Sequence, residues 1–331
     1  MGMWLAGAKR KKKIGILFPG QGTQFVGMGK ELYDSERIIQ EVFEEASLCL
    51  DINFVQLCFA SSEKTLKETI NSQTAIFVLS AAIFKLLNEK YSIMPDLVAG
   101  HSLGEYTAIH AAGGINFPDA LYLLNKRAVI MDRFIKEQNG GMLAVLGFSE
   151  EKLRIICAQY DQPENNEHVA EIANYNSSTQ IVVSGTIPEL EEVKSDVEIM
   201  RGKGVILPVE GAFHSRLLRE AENLFSKYLV KVDFRALKVP LINNIMAQPV
   251  QSPVEIKLSL VRQTSSHIYW WQSMQFFKDM DIIIEVGPND KFAKMLRREW
   301  PNKKIFSINS KQDIIKLFEA LNAPDEDEDV N

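Results

Sequence analysis

Ser102 stands in the run Gly100-His101-Ser102-Leu103-Gly104, which has the G-x-S-x-G spacing of a nucleophile elbow. In such an elbow a serine occupies a strained turn between a strand and a helix, with its hydroxyl exposed for attack on an acyl carbonyl. The two glycines have a steric reason to be there. Backbone ahead of the serine meets backbone of the following helix, and a Cβ at either position would clash. The helix after the serine aims its free N–H groups and positive dipole end at the same point. The amide of Leu103 then faces the oxygen that becomes negative during acyl transfer.

A serine hydroxyl attacks well only when a base takes its proton, and histidine has the pKa for that work. The chain has five: His101, His110, His168, His214 and His267. His101 adjoins the serine and must leave the turn on another side. His110 has apolar neighbours that suit a packed core residue, His168 lies in a polar acidic stretch, and His267 follows two serines in a loop. His214, in Gly211-Ala212-Phe213-His214-Ser215, differs because it falls where two parts of the chain join and a cleft would open. No acid stands out as a third triad member, so a main-chain carbonyl is expected to orient the imidazole.

The elements that position these side chains alternate between strand and helix. Ile14 to Phe18 is a short apolar run ended by Pro19-Gly20-Gln21-Gly22, a buried strand feeding a glycine loop. That loop lacks the third glycine of G-x-G-x-x-G, which argues against a dinucleotide site. Helices are predicted over 27–33, over 36–50 with Ile38, Val42, Phe43 and Ala46 on one face, over 73–90 and over 117–137. From Gly140 the texture changes. Strands over 142–147, 169–174, 180–184 and 205–209, with helices over 150–159 and 187–200, follow the β-α-β-β-α-β order of a ferredoxin-like module. Beyond Gly211 alternation resumes, with strands over 239–245, 282–286 and 304–308 and helices over 216–230, 256–263, 271–280, 291–299 and 312–321. The expected fold is α/β: a hydrolase-like domain with a central parallel sheet covered by helices, formed by 13–139 and 210–323, with an inserted ferredoxin-like βαββαβ subdomain over 140–209.

Of the 331 residues 46% are hydrophobic and 24% charged, as in ordinary globular enzymes, and the formal charge of -6 with no basic stripe disfavours nucleic acid. The three cysteines, Cys49, Cys58 and Cys157, suit neither a disulfide framework nor a metal site and read as core thiols of a reducing, cytoplasmic compartment. No run of 18 apolar residues is present, so no membrane span is expected. Residues 1–12 carry their basic cluster after the apolar part, the reverse of a secretory signal, and read as an extension. Residues 324–331 hold a like-charge acidic block and read as a tail.

Taken in order, Gly20-Gln21-Gly22-Thr23-Gln24, Gly100-His101-Ser102-Leu103-Gly104-Glu105, Arg127, Ala212-Phe213-His214-Ser215 and Glu285-Val286-Gly287-Pro288 resemble the malonyl-CoA:acyl carrier protein transacylase family. That family includes the acyltransferase domains of polyketide synthases, and the likeness spans about 13–323. The resemblance implies Ser102 as nucleophile, His214 as general base and then acid, and the amides of Gln21 and Leu103 as oxyanion hole. It implies Arg127 as the clamp on the free malonyl carboxylate, since a guanidinium fork meets both oxygens. Gln263 matches the residue whose carbonyl supports the histidine, Asn174, Asn176 and Asn244 match polar positions near the cleft, and Phe213 resembles the malonyl-selective members. Two departures, Asn289-Asp290 after Gly287-Pro288 and His267 in place of a common proline, touch loops and not the chemistry.

The reading implied is ping-pong transfer of malonyl from malonyl-CoA, through a Ser102 ester, to the phosphopantetheine thiol of an acyl carrier protein. No metal or further cofactor is called for. The pathway is fatty acid or polyketide synthesis, and Gly-Ala-Phe-His-Ser leans to an enzyme acting in trans on a polyketide synthase. Two alternatives stand beside it: an acyl hydrolase of the same fold that clears stalled carriers, which has no need of Arg127, and a non-catalytic carrier-docking protein, which has no need of Ser102 and His214.

Overall fold

The described residues form ten strands in two sheets, and the arrangement follows from which apolar runs are buried on both faces. The computed structural model describes residues 12–209 and 211–323; the extension up to Lys11 and the acidic tail lie outside the described residues. The strands are β1 (Ile14–Phe18), β2 (Leu97–Gly100), β3 (Gly140–Leu146), β4 (Ala170–Ser177), β5 (Gln180–Thr186), β6 (Lys203–Ile206), β7 (Leu241–Ile242), β8 (Pro249–Val250), β9 (Ile282–Val286) and β10 (Lys304–Ile308). The large sheet runs β10-β9-β1-β2-β7-β8. Its pairings are parallel except β7 with β8, so the expected parallel sheet ends in one antiparallel hairpin.

All five residues of β1 are buried, and they alternate between two cores: Ile14, Ile16 and Phe18 face one, Leu17 the other. A strand covered on both faces needs this unbroken apolar run, which is why it shows no polar alternation. The first core is built around the helix Thr69–Tyr91, in which Ile76, Leu79, Ile83, Leu86 and Leu87 are inaccessible to solvent. By length and composition this helix could cross a membrane, contrary to the sequence expectation, yet 83% of its most apolar window is buried within the protein. It is the central core helix.

The second sheet runs β4-β5-β3-β6 and is antiparallel throughout, with the helices Glu150–Tyr160 and Ile187–Ile199 on one face. Those helices bury Leu143, Val145, Ile172 and Val183 of the sheet with Leu153, Ile156, Leu190 and Val193. The opposite face, including Met142, Ala144, Ala173 and Val182, joins the core of the large part. A βαββαβ unit whose second face is apolar cannot stand as an ordinary solvated sheet, and here that face closes over the large sheet.

Several sequence expectations are corrected. The strand predicted over 239–245 pairs only at Leu241 and Ile242, because Asn243 and Asn244 turn out of the sheet. The strand predicted over 205–209 lies at Lys203–Ile206; Pro208 has no N–H to offer a ladder, and the chain leaves the sheet. Two helices, Phe54–Phe59 and Glu63–Lys67, and strand β8 were not expected. On the helix Arg37–Leu50 the buried position is Ile39 and not Ile38. Cys49 is exposed on that helix, whereas Cys58 and Cys157 are buried and their thiols are pushed up to about 12 by burial.

Candidate active site

Strand β2 runs into the turn at Ser102, whose φ of 52° is the left-handed conformation of an elbow. A Cβ at Gly100 would come within 1.9 Å of the Gly104 carbonyl oxygen, and one at Gly104 within 2.3 Å of the Phe18 carbonyl oxygen. Both glycines are therefore required by backbone contact. Behind the turn, the Ser102 amide donates to Asn244 Oδ1 at 2.7 Å, and Asn244 Nδ2 donates to the Gly100 carbonyl at 2.6 Å. One carboxamide thus spans the elbow. The amides of Gln21 and Leu103 donate to no protein group among the described residues, while the neighbouring Gly22 amide is taken by Gln24.

The Ser102 hydroxyl donates to His214 Nε2 at 2.9 Å, and His214 Nδ1–H donates to the main-chain carbonyl of Gln263 at 2.8 Å. With the proton on Nδ1, Nε2 is free to accept. Gln263 ends the helix Pro253–Gln263, so its carbonyl lies at the negative end of a helix dipole and favours the imidazolium that forms when the serine attacks. His214 itself has φ 61° and is 4% exposed. Burial, then the charge of Arg127, lowers it to about 3, so the imidazole is neutral and ready to accept a proton. Its ring resonances are therefore expected not to titrate between pH 5 and 8, read by NMR of the folded protein against the free-imidazole value of 6.5. The folded site refuses a proton that the unfolded chain accepts, so this group's contribution to stability is intact above pH 6.5 and erodes as pH falls towards 3.

Arg127 comes from the middle of the helix Phe117–Lys136 and is 1% exposed. Its Nη2 donates to Ser102 Oγ at 3.0 Å and to Gln263 Oε1 at 3.1 Å, and its Nη1 donates to Gln73 Oε1 at 2.7 Å. No carboxylate forms an ion pair with it among the described residues, and its Nε has no hydrogen-bond partner there. A buried guanidinium with no carboxylate bonded to it directly, Glu105 being reached only across Gln263, is costly, and an anionic ligand next to Ser102 would relieve that cost.

A cavity of about 610 Å³ joins these groups, lined among others by Gln21, Ser102, Arg127, His214, Phe213, Asn174 and Asn176. The sheet β4-β5-β3-β6 supplies one wall through Met142, Asn174, Asn176 and Val182. Asn176 Oδ1 meets His101 Nε2 at 3.1 Å, while Asn174 Oδ1 is buried without a partner among the described residues. His101 packs against Trp270 and Phe292, and burial lowers it to about 4. Asn244 and Gln263 do not line the cavity. Their side chains lie behind the elbow, spent on Ser102, Gly100 and Arg127, so the structure assigns them support and not substrate contact. The remaining histidines take other places: His110 lies beside Phe77 and Phe117, His168 pairs with Glu189, and His267 Nδ1 meets the Ile172 carbonyl. Among the described residues no group of three or more His, Cys, Asp or Glu could hold a metal ion.

Three residues escaped the sequence reading. Gln73 is a buried polar residue early in an apolar helix, a signal that could have been used; Lys291 lines the cavity; and Glu105 is wholly buried behind the serine. The loop carrying His214 is held by Arg216, whose Nη1 pairs with Asp161 at 2.8 Å and with Glu171 on β4 at 2.6 Å. Its Nη2 donates to the carbonyls of Gln162, Asn165 and His168.

Known proteins resemble this chain in sequence and in fold. A family model described as acyl transferase domain matches residues 16–277. A malonyl CoA-acyl carrier protein transacylase of Bacillus subtilis (strain 168) is 32% identical over 313 residues, which are 93% of this chain and 97% of that protein. One from Staphylococcus aureus (strain MRSA252) is 33% identical, over 91% of this chain and 97% of that protein. Among solved structures, FabD from Acinetobacter baumannii superposes with a TM-score of 0.89 at 30% identity, covering 94% of this chain and 99% of that one. A malonyl-transacylase solved in complex with a type II PKS acyl-carrier protein superposes with a TM-score of 0.88 at 27% identity, covering 93% of this chain and 99% of that one.

Proposed function

The chain belongs to the acyl transferase domain family, among the malonyl-CoA:acyl carrier protein transacylases, and from that premise we propose how its residues divide the reaction. It is an S-malonyltransferase whose substrates are malonyl-CoA and an acyl carrier protein. Ser102 Oγ attacks the thioester carbonyl while its proton passes to His214 Nε2. The tetrahedral oxyanion is held by the amides of Gln21 and Leu103, each such donor giving ~3 kcal/mol of transition-state stabilisation. Collapse breaks the C–S bond, and His214 returns the proton to the departing coenzyme A sulfur. In the second half the phosphopantetheine thiol of the carrier gives its proton to His214 and attacks the ester, and Ser102 leaves as its hydroxyl.

Arg127 holds the free carboxylate of malonyl through both halves, and Phe213 narrows the space beside it. The observation that carries this reading is that a serine–histidine pair and a buried arginine, bonded to no carboxylate among the described residues, share one cavity. In this proposal residues 140–209 form a subdomain that walls the cavity against a large domain of 13–139 and 210–323. Free cysteines and a coenzyme A thioester substrate support a cytoplasmic location. The chemistry described uses no cofactor.

Mixing the protein with malonyl-CoA and recording its intact mass tests the reading. A stable adduct that passes to added carrier protein supports transfer, rapid release of free malonate supports the hydrolytic alternative, and no adduct refutes both. A further outcome concerns the cavity lining. Lys64, Lys67 and Lys291 line the cavity and, among the described residues, no aspartate or glutamate does, in a chain of net charge -6. Those lysines suit the phosphates that both substrates carry. Lys291→Met is expected to raise KM for malonyl-CoA about fivefold, a loss of ~1 kcal/mol for one partly solvated ion pair. The effect should shrink as salt rises, with kcat little changed, in steady-state assays at two ionic strengths.

A further inference from the structure

We infer that Glu105 is a positioning residue of the transfer reaction: its carboxylate fixes the two residues, Asn244 through its main-chain amide and Gln263 through its side chain, that hold Ser102 and His214 in register. The inference rests on the assignment of Ser102 and His214 given above.

Glu105 follows the elbow by three residues, on the helix Gly104–Ala111, and is completely buried. Its two oxygens serve two different supports. Oε1 accepts from the Asn244 amide at 3.1 Å, and Oε2 accepts from Gln263 Nε2. Asn244 in turn carries the Ser102 amide, and Gln263 carries the His214 imidazole on its main-chain carbonyl. A single carboxylate therefore joins the support of the nucleophile to the support of the base, across chain separations of 139 and 158 residues.

Donor and acceptor counting explains why a carboxylate is needed. The Gln263 carboxamide has Nε2 donating to Glu105 and, at 3.0 Å, to the Ser102 carbonyl, while Oε1 accepts from Arg127 at 3.1 Å. Arg127 can only donate and the Ser102 carbonyl can only accept, so the amide has one workable orientation. An ionised Glu105 presents acceptors to both Gln263 and Asn244. A carboxamide in its place has one acceptor oxygen, and its NH₂ would confront a donor on the other side. Burial pushes the Glu105 carboxyl up to about 7, and the bonds from Asn244 and Gln263 and the Arg127 charge oppose that shift. Arg127 is the charge that faces Glu105 from a neighbouring element. An apolar residue would pack there at less cost, which speaks for a positional use of the acid.

Glu105→Gln, nearly isosteric, is the first test. Malonyl loading is expected to lose about 10- to 100-fold in kcat with KM for malonyl-CoA within twofold, and inactivation by phenylmethylsulfonyl fluoride should slow in parallel. That reagent reads Ser102 activation without the malonyl carboxylate. Gln263→Ala, which keeps the main-chain carbonyl, should show the same loss, and the double variant should be no slower than the slower single one. A folded Glu105→Gln protein with normal kcat, or losses that multiply in the double variant, would overturn the inference. If Glu105→Gln does not fold, normal kcat in Gln263→Ala overturns it alone. Failure of the wild-type protein to take up malonyl would refute the functional reading instead.

Discussion

Ser102→Ala protein incubated with malonyl-CoA gains no mass, and its transfer rate to carrier protein falls by at least about 10⁴-fold, the scale on which loss of a serine nucleophile acts. The fold is expected to persist, because the turn does not depend on the hydroxyl: the Ser102 amide and carbonyl remain bonded to Asn244 and Gln263. Circular dichroism and the melting temperature check that point. Wild-type protein gives an adduct released by hydroxylamine, as an ester is, and peptide mapping places it on Ser102. A malonyl adduct on the alanine variant would move the nucleophile elsewhere and remove the basis of the mechanism.

Arg127→Ala is the second large effect. Two charge-assisted hydrogen bonds to the malonyl carboxylate, at about 1.5 to 3 kcal/mol each, correspond to roughly 10²- to 10⁴-fold in kcat/KM for malonyl-CoA. Acetyl-CoA, which has no free carboxylate, should be loaded no more slowly than before, so the preference between the two donors collapses. Because Arg127 also donates to Ser102 Oγ and to Gln263, part of the loss could come from a disturbed nucleophile. Inactivation by phenylmethylsulfonyl fluoride separates the two: a rate within a few-fold of wild type assigns the loss to the carboxylate. Unchanged selectivity between malonyl-CoA and acetyl-CoA would refute the clamp.

The elbow is legible in the sequence because its determinants are local. Two glycines at fixed spacing, an apolar run before and a helix after are all that steric necessity demands, and Gly100 and Gly104 meet backbone as that necessity requires. Long periodic helices are legible for the same reason: Phe117–Lys136 departs from expectation by one residue. Short elements are not, since Phe54–Phe59 and Glu63–Lys67 span too few turns to show a period. Least legible is the buried lattice of Glu105, Asn244 and Gln263. The resemblance offers the Gln263 carbonyl and a cleft position for Asn244, but no local pattern links the three residues, and only the folded path brings them together. The same gap explains why Asn244 reads as a cleft residue and is found bracing the turn.

Arg216 ties the loop bearing His214 to Asp161 and Glu171 of the four-stranded unit, whereas Ser102 is rooted in the large sheet. The imidazole is thus fastened twice, its loop to the four-stranded unit through Arg216 and its Nδ1 to the Gln263 carbonyl, whose side chain also holds the Ser102 carbonyl. A shift of that loop by an ångström or two would part the 2.9 Å contact with the hydroxyl before any covalent bond is strained. Turnover in this molecule is thus a sensitive gauge of how firmly that loop is seated.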